Sequence, residues 1–333
     1  MLSRSRFIRT LDRLTATNES GERFGARMDV PYKMINQSAS GGKPIRLWRY
    51  ERFEQKRVDT LTKGLVYLST PGSFTDPTDS MPYFDLEAIR RRINTTVTPE
   101  GVLHVFEKQK EFGILPDPTL QEKALDLALH NFENNKISLL NATEAELLSR
   151  YRYFRNEIHC ACFTEDNQNP TMWDRYASNW AGLAIGYDID PLEVKCKCEG
   201  TNTCNERMPF TLAPILYEDR FDMSSLSAVL MGSCKLFPYL TFDVYLALVH
   251  ATIHKDPKWA HEREWRLFSG TCDLHNGTIY AQLKPAEIII GYKTCDDDVA
   301  TAKTICDHYD IPLRKIVFDP STPGYGYCFD QLQ

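Results

Sequence analysis

One stretch of the sequence carries much of the information about the fold: residues 261–268, which read HEREWRLF. The stretch ends in aromatic and aliphatic residues, as many buried β-strands do, but it also contains two acids and two arginines. Side chains alternate between the two faces of a strand, so a strand here would place Glu262 and Glu264 on the same face. Two neighbouring carboxylates repel each other, and a cationic substrate between them would offset that repulsion.

Other segments on both sides of this stretch also read as strands. Each is a short piece that alternates or runs apolar and is bounded by turn residues. Together with the strand in HEREWRLF, they bring the expected number of strands to about nine. These segments are residues 45–53, 64–69, 158–165, 182–189, 213–219, 277–283, 287–292 and 315–319.

Helices are predicted mainly in a block over residues 98–157. There, Thr98 precedes Pro99, which is typical of an N-cap followed by proline at the first helical position. Further helix signals are the capping-box spacings of Thr119 with Glu122 and of Thr143 with Glu146, and helical patterns over 224–254 and 297–309.

Strands and helices are largely segregated along the chain, which predicts an α+β fold rather than alternating βαβ units. We expect residues 44–333 to form a single catalytic domain with a helical insertion at about 98–157. Residues 1–43 are polar with a basic start, and we expect a poorly ordered lead-in. A transit peptide or a helix lying on a membrane surface is the alternative for this segment.

Composition limits the function classes. The chain has 333 residues, with 39 Lys and Arg against 45 Asp and Glu, so its net charge is −6. This mildly acidic balance provides no general attraction for nucleic acid or for an anionic membrane. No apolar run approaches the roughly 20 residues of a membrane span, and the N-terminus lacks the apolar core of a secretory signal. We therefore expect a protein made in the cytoplasm.

Cysteines offer a separate interpretation. The chain has 10 cysteines, too few for a disulfide scaffold of this length. Cys160 and Cys162 are expected on one strand face, and Cys196, Cys198 and Cys204 in a loop. Structural zinc sites usually keep two or more residues between paired cysteines, which neither cluster does. Free thiols are therefore expected, with a zinc site or a nucleophilic Cys160 as alternatives.

Three elements in chain order resemble the ADP-ribosyltransferase superfamily of the Arg, Ser-Thr-Ser, Glu-x-Glu type. They are Arg49 on an early strand, Ser69-Thr70 at the end of the next strand, and the Glu262/Glu264 pair. The chain departs from the pattern at Pro71, where the family has a second serine and where proline bends the chain out of the strand. The resemblance implies a split β-sandwich with a helical insertion.

A second resemblance rests on three longer blocks. They are similar to signature blocks of a bacterial family, domain of unknown function 2971, and they cover much of the chain between residues 45 and 320. Asp76 and Asp79 in the first block would cap turns or position the loop over a nucleotide; two acids alone are too few ligands for a metal. The blocks read LVYLSTPGSFTDPTDS, CFTEDNQNPTMWDRYA and HEREWRLF.

The transferase resemblance implies a role for each candidate residue. Glu264 would stabilise the positive charge that develops on the ribose of NAD as nicotinamide leaves. Glu262 would face the acceptor, an arginine of a target protein, and Arg49 would bind a phosphate of NAD. The remaining residues expected to contact NAD are Tyr50, Ser69, Thr70, Phe74, Trp173 and Tyr176.

The resulting expectation is a monomeric, NAD-dependent mono-ADP-ribosyltransferase without a metal. Such enzymes often act as toxins or effectors, and this chain could reach a host or neighbouring cell through a dedicated secretion machine. A non-catalytic nucleotide- or protein-binding module on the same fold is the alternative, and a metal-dependent hydrolase is a third. In a purely structural interpretation, Glu264 pairs with Arg266 or Arg263, and Trp173 and Tyr176 pack in the core.

Overall fold

The computed structural model describes most of the chain, and it forms a mixed α/β structure with one large mixed sheet and no barrel in that part. The described residues are 4–19, 29–96, 98–100, 118–130, 158–198, 210–224, 242–269, 279–318 and 327–332, together with isolated residues between 103 and 156.

The described strands are β1 Ile45–Glu51, β2 Leu65–Tyr67, β3 His159–Thr164, β4 Leu183–Ile189, β5 Lys195–Cys198, β6 Phe210–Pro214, β7 Leu216–Tyr217, β8 His254–Lys255, β9 Glu264–Ser269, β10 Ile279–Gln282, β11 Glu287–Ile290, β12 Leu313–Phe318 and β13 Tyr327–Gln331. The described α-helices are α1 Arg4–Glu19, α2 Asp29–Ser40, α3 Gln55–Thr62, α4 Leu86–Thr96, α5 Pro118–His130, α6 Pro170–Arg175, α7 Phe242–Ile253 and α8 Asp296–Tyr309. Two 3-10 turns cover Pro71–Ser73 and Pro257–Glu262.

The large sheet has the strand order β13-β12-β11-β4-β1-β3-β9-β6. Its neighbouring strands are antiparallel except β11 and β12, which are parallel. A smaller antiparallel sheet has the order β2-β10-β5, and β7 pairs with β8. The sheet is therefore mixed, and the split β-sandwich of an ADP-ribosyltransferase stays a prediction.

The central strands of the large sheet are buried on both faces. Every residue of β9 is buried, as are six of the seven residues of β4. One face packs in the main core with α1, α2 and α7. The other face carries a smaller cluster around Trp48, Trp173 and Ile289. Burial on both faces explains why β4 reads as an almost continuous apolar run rather than as an alternating pattern.

Strands β1 and β3 are neighbours in the sheet, but few of their residues pair with each other. β1 pairs with β4 along its whole length, from Ile45 with Ile189 to Glu51 with Leu183. With β3 it pairs only at Trp48 and Thr164. Because the two strands separate beyond that pair, a cavity can open between them without breaking the pairing of β3 with β9.

The expectation of a poorly ordered lead-in is wrong for the described part of residues 1–43. Phe7, Leu11 and Leu14 on α1, and Ile35 on α2, are buried in the main core. The spacing of the three residues on α1 places them on one helical face, while most of the remaining positions are polar. The segment reads as polar overall because only this one face is apolar.

Some of the residues predicted to form the helical insertion are helical in the structure. Pro99 and Glu100 are helical, as the N-cap signal predicts, and α5 lies within the insertion. However, α5 begins at Pro118, so Thr119 lies inside the helix rather than at its cap. Thr143 and Glu146 lie outside the described residues. The helical region also begins earlier than predicted, at α4, where the Asp85 carboxylate accepts a hydrogen bond from the amide of Ala88 at 2.9 Å.

Three strands lie where none was predicted, and one of them is β8 (His254–Lys255), directly after α7. Cys196 and Cys198 belong to β5 rather than to a loop, and β13 follows β12 at the edge of the large sheet. Cys204 lies outside the described residues. Among the helices that the structure describes, none is long and apolar enough to cross a membrane.

A left-handed turn connects α6 to β4. Ser178, Asn179 and Trp180 have φ angles of 51°, 53° and 69°. The turn brings the backbone carbonyl of Trp180 so close to Gly291 that a Cβ at Gly291 would overlap it. The Trp180 ring stacks on Trp173 with centroids 5.8 Å apart, which fixes α6 against the sheet. The end of α6 is thereby held at the edge of the cavity.

Candidate functional site

A cavity of about 580 Å³ opens where β1 and β3 separate. Its walls come from β1, the start of α3, the loop over residues 69–79, β3, the end of α6, the turn Pro257–Glu262 and β9. Pockets that hold small ligands or cofactors occupy roughly 300–1,000 Å³, so the cavity has room for a nucleotide.

Glu262 and Glu264 both line this cavity, but not in the way that strand alternation predicts. Glu262 is the last residue of a 3-10 turn, Arg263 is left-handed with φ 45°, and β9 begins only at Glu264. The turn forms here because the Asp256 side chain accepts a hydrogen bond from the amide of Lys258 at 2.9 Å and Pro257 follows Asp256. The prediction that both acids lie on one strand is therefore wrong.

The two carboxylates nevertheless meet, at the ammonium group of Lys255. Lys255 Nζ lies 2.6 Å from Glu262 Oε2 and 2.7 Å from Glu264 Oε2. Both acids are buried, with 3% and 4% of their surface exposed. The cation that offsets their repulsion is therefore a side chain of the chain itself.

Arg266 joins Glu264 to the loop before α4. Its guanidinium is fully buried and donates from Nε to Glu264 Oε1 at 2.7 Å. The same guanidinium makes a bidentate pair with Asp79, with two contacts of 2.7 Å. It also donates to Ser80 Oγ at 3.0 Å and to the carbonyl of Thr252 at 2.9 Å. This geometry matches the structural alternative in which Glu264 pairs with Arg266.

We call these five side chains the acidic wall: Asp79, Lys255, Glu262, Glu264 and Arg266. They carry three negative and two positive charges. Burial raises the pKa of Glu264, but the guanidinium of Arg266 and the ammonium of Lys255 outweigh it and lower the pKa to about 2. Burial likewise lowers the pKa of Lys255, and the carboxylates around it, Glu264 first, outweigh it and raise the pKa. Glu264 and Lys255 are therefore both charged at neutral pH.

Two tyrosines hold the backbone and side chains of the acidic wall in place. The Tyr176 hydroxyl donates to Glu262 Oε1 at 2.8 Å. Burial and the nearby Glu262 carboxylate raise the pKa of Tyr176, so the hydroxyl stays protonated. The Tyr217 hydroxyl accepts a hydrogen bond from the amide of Glu264 at 2.6 Å.

Arg4, on α1, supports the acidic wall from behind. Its guanidinium donates to the carbonyls of Ile215 at 2.7 Å and Glu264 at 3.1 Å, and to the carboxylate of Glu165 at 2.9 Å. Glu165 also accepts a hydrogen bond from the indole of Trp265 at 2.7 Å. A residue of the supposed lead-in therefore contacts the strand that begins with Glu264.

Arg49, Glu51 and Arg57 form a second charged wall of the cavity, which we call the basic wall. Arg49 Nε lies 2.5 Å from Glu51 Oε1, and Arg57 Nε lies 3.5 Å from Glu51 Oε2. One carboxylate thus partners two guanidinium groups, which leaves a net positive charge. Arg57 is 36% exposed, unlike the residues of the acidic wall.

Most of the other residues predicted to contact NAD line the cavity, but Thr70 is not among the lining residues. Tyr50, Ser69, Phe74 and Tyr176 line the cavity together with Arg49, although the hydroxyl of Tyr50 donates to the carbonyl of Asp166. Thr70 begins the turn Pro71–Ser73, and its carbonyl accepts a hydrogen bond from the hydroxyl of Ser73.

The prediction that Trp173 stacks on a ligand ring is wrong. Trp173 is fully buried in the smaller core, where it contacts Tyr50 and Trp180, and its indole donates to the carbonyl of Asn167. Tyr176, three residues further on, reaches the cavity because it follows the last turn of α6.

The two aspartates of the first block have different partners. Asp79 is buried against Arg266, whereas Asp76 accepts hydrogen bonds from the amide of Thr78 at 2.8 Å and the indole of Trp259 at 2.6 Å. Trp259 in turn lies under the guanidinium of Arg175, 4.8 Å from the ring centroid. The two aspartates therefore join the loop over residues 69–79 to β9 and to the turn Pro257–Glu262, which form the opposite part of the cavity wall.

The cysteines do not form a metal site within the described residues, where no group of three or more His, Cys, Asp or Glu could hold a metal ion. Cys160 is buried in β3, and Cys162 lines the cavity between the two charged walls. The hydrogen bond with Cys160, burial and the Glu264 charge raise the pKa of Cys162, so its thiol stays protonated.

Sequence reasoning missed several residues in or behind the cavity wall, namely Arg4, Glu51, Arg57, Lys255 and Trp259. Lys255 and Trp259 flank an Asp-Pro step that starts the 3-10 turn, and this step is the signal that could have revealed a break before β9. Arg4 gave no comparable signal, because its partners are far away in the sequence.

One protein family matches part of the chain. The model of a family described as protein of unknown function (DUF2971) matches residues 172–267. The matched segment includes Tyr176, Lys255, Glu262 and Arg266, so it covers much of the acidic wall. The match supports the second resemblance over this segment, while the ADP-ribosyltransferase resemblance stays a prediction. No curated protein and no solved structure matches the chain significantly.

Proposed function

We propose that the cavity binds NAD and that the chain transfers ADP-ribose from it. The observation that carries the proposal is the charge of the two walls, which face one cavity. The acidic wall has one negative charge in excess, and the basic wall has one positive charge in excess. NAD has a cationic nicotinamide riboside and an anionic diphosphate, so its two halves complement the two walls.

Glu264 has the properties that the reaction requires. As the bond between nicotinamide and ribose lengthens, positive charge moves onto the sugar, and a fixed negative charge stabilises that state more than the ground state. The low pKa of Glu264 keeps its carboxylate ionised. Lys255 and Arg266 hold it in one position, so little reorganisation is needed during the reaction.

The basic wall would bind the diphosphate. Guanidinium groups donate paired hydrogen bonds to phosphate oxygens, and Glu51 orients both Arg49 and Arg57. The rings of Phe74 and Tyr176 on the cavity wall offer surfaces for an aromatic ring of NAD. The Glu-x-Glu pattern predicts an arginine of a target protein as the acceptor.

The test measures nicotinamide release from labelled NAD by the purified chain. Glu264→Gln keeps the size of the side chain and removes its charge, and we expect a loss of about 10²- to 10³-fold in rate. The matched control is Glu193→Gln, an exposed acid away from the cavity, which should leave the rate unchanged. Equal rates for wild type and Glu264→Gln would remove Glu264 from the mechanism.

A non-catalytic binding module is a second candidate, favoured by one observation. All three carboxylates of the acidic wall are already paired with Lys255 or Arg266, as they would be if they only stabilised the fold. Calorimetry with NAD separates the two functions. Binding without nicotinamide release would support the module, whereas binding with release that depends on Glu264 would support the transferase.

A further inference from the structure

The pairing of Glu262 determines which acceptor can react, if the proposed function holds. Glu262 is the residue that would hold a target arginine. Its Oε1 already accepts from Tyr176 and its Oε2 from Lys255, and only 3% of the residue is exposed. Its backbone carbonyl is also held, by the hydroxyl of Thr164 at 2.7 Å. Neither the carboxylate nor the turn that carries it is free to rotate towards an entering group.

A guanidinium acceptor would meet two obstacles at this position. It binds a carboxylate best through two parallel hydrogen bonds, one to each oxygen, and on Glu262 it would have to share both oxygens with Tyr176 and Lys255. It would also lie next to the Lys255 ammonium, which has the same charge and is fixed between Glu262 and Glu264. Displacing Lys255 would break a buried ion pair, which disfavours such an acceptor by about 100-fold or more.

A neutral hydroxyl meets neither obstacle. Each oxygen of Glu262 has one partner, so each retains capacity for a second hydrogen bond, which a water molecule or an alcohol can donate. We infer that the acceptor is a neutral O–H group, with water as the ordinary case, and that Lys255 is the positioning residue that excludes guanidinium groups. This inference rests on the proposed function and replaces its arginine acceptor.

The reaction then balances as a hydrolysis. The bond between the ribose carbon and the nicotinamide nitrogen breaks, and its electron pair leaves with nicotinamide, which becomes neutral. The oxygen of the acceptor forms the new bond to the ribose carbon. Its proton passes to the carboxylate of Glu262 and then to solvent, so the products are nicotinamide, ADP-ribose and a proton.

The experiment incubates the purified full chain with NAD and with agmatine, a small guanidine, and separates the products by chromatography and mass spectrometry. A parallel sample contains methanol instead. We expect free ADP-ribose in all samples, methyl ADP-ribose with methanol, and no ADP-ribosyl-agmatine. Formation of ADP-ribosyl-agmatine at a rate similar to hydrolysis would overturn the inference alone. Failure to consume NAD would refute the proposed function, and the inference with it.

Two variants test the role of Lys255. Lys255→Met frees Oε2 of Glu262 and removes the neighbouring positive charge, so it should raise the ratio of agmatine product to free ADP-ribose by about tenfold or more. Tyr176→Phe removes one hydrogen bond but keeps Lys255, so this ratio should stay low even if the total rate falls. A residue that only stabilises the fold would change the total rate without changing the ratio. If Lys255→Met does not fold, a high ratio in Tyr176→Phe would still contradict the role given to Lys255.

Discussion

The acidic and basic walls of the cavity hold their charges in different ways. In the acidic wall each charge is buried and paired with another, as in the bidentate contact of Arg266 with Asp79. In the basic wall, Glu51 partners both Arg49 and Arg57, and Arg57 is 36% exposed. Buried charges depend on their partners far more than exposed charges do. The acidic wall should therefore contribute to the stability of the fold, and the basic wall mainly to ligand binding.

The largest expected effect comes from removing the buried cation of the acidic wall. Arg266→Met leaves Asp79 and Glu264 without this partner, and we expect a loss of about 3–5 kcal/mol in the free energy of unfolding, measured by denaturant titration. The control is Arg46→Met, which removes the exposed pair with Asp188 and a contact with Glu287. Because Glu287 keeps Arg314 as a partner, the variant should cost only about 1 kcal/mol. Similar losses in the two variants would mean that burial does not distinguish these pairs.

Acid should weaken the acidic wall through Glu264. Its pKa lies near 2 in the folded chain, below the ordinary value of 4.5. A lowered folded-state pKa means that the stabilisation is fully present above about pH 4.5 and is lost as the pH falls towards 2, by about 3 kcal/mol in total. Between pH 5 and pH 2, the free energy of unfolding should fall less steeply with pH in Glu264→Gln than in wild type. If the two variants lose stability equally over this pH range, Glu264 does not cause the loss of stability in acid. The control Glu193→Gln should behave like wild type.

Arg4 supports the acidic wall from outside the cavity, and its effect should be smaller. Arg4→Met removes hydrogen bonds to the carbonyls of Ile215 and Glu264 and to the carboxylate of Glu165. Because Arg4 is only partly buried, we expect a loss of about 1–2 kcal/mol in the free energy of unfolding. Arg9→Met, an exposed position on the same helix, is the control. If both variants unfold alike, α1 does not support the wall through Arg4.

The smallest effect on stability should come from the basic wall. Arg57→Met should cost less than about 1 kcal/mol, because Arg57 is partly exposed and Glu51 keeps Arg49 as a partner. Its affinity for NAD, measured by calorimetry, should nevertheless fall about tenfold through the loss of a phosphate contact. Arg46→Met, outside the cavity, should bind NAD as wild type does. A stable variant with unchanged affinity would remove Arg57 from the binding site.

The sequence predicts the apolar part of the fold better than its charged part. The strand after Glu264 is confirmed because Trp265, Leu267 and Phe268 are strongly strand-forming and buried. Lys195–Cys198 alternates as a strand does, but the Gly and Asn residues that follow it indicate a loop. The strand β5 was therefore missed. The packing of α1 was missed because an apolar face does not reveal what covers it.

The residues of the candidate site were also predicted only in part. The sequence identified Arg49, Glu262 and Glu264 as residues of one site, and all three line one cavity. It did not identify Lys255, since a single lysine has no pattern that points to carboxylates 7 and 9 residues later in a turn and a strand. Trp173 was wrongly placed among the residues that contact NAD. It packs in the core, as the structural interpretation expected, whereas Tyr176 follows the last residue of α6 and lines the cavity.

The contact between Asp79 and Arg266 has a consequence for how the chain is made. The two residues are 187 positions apart, and β9 lies between β3 and β6 in the large sheet, which it joins by pairing with both. Until the ribosome adds residue 266, Asp79 cannot form its ion pair with the guanidinium of Arg266. The segments before residue 266 must therefore remain without this contact until Arg266 has been added, and during that time their unpaired strands can bind chaperones or aggregate.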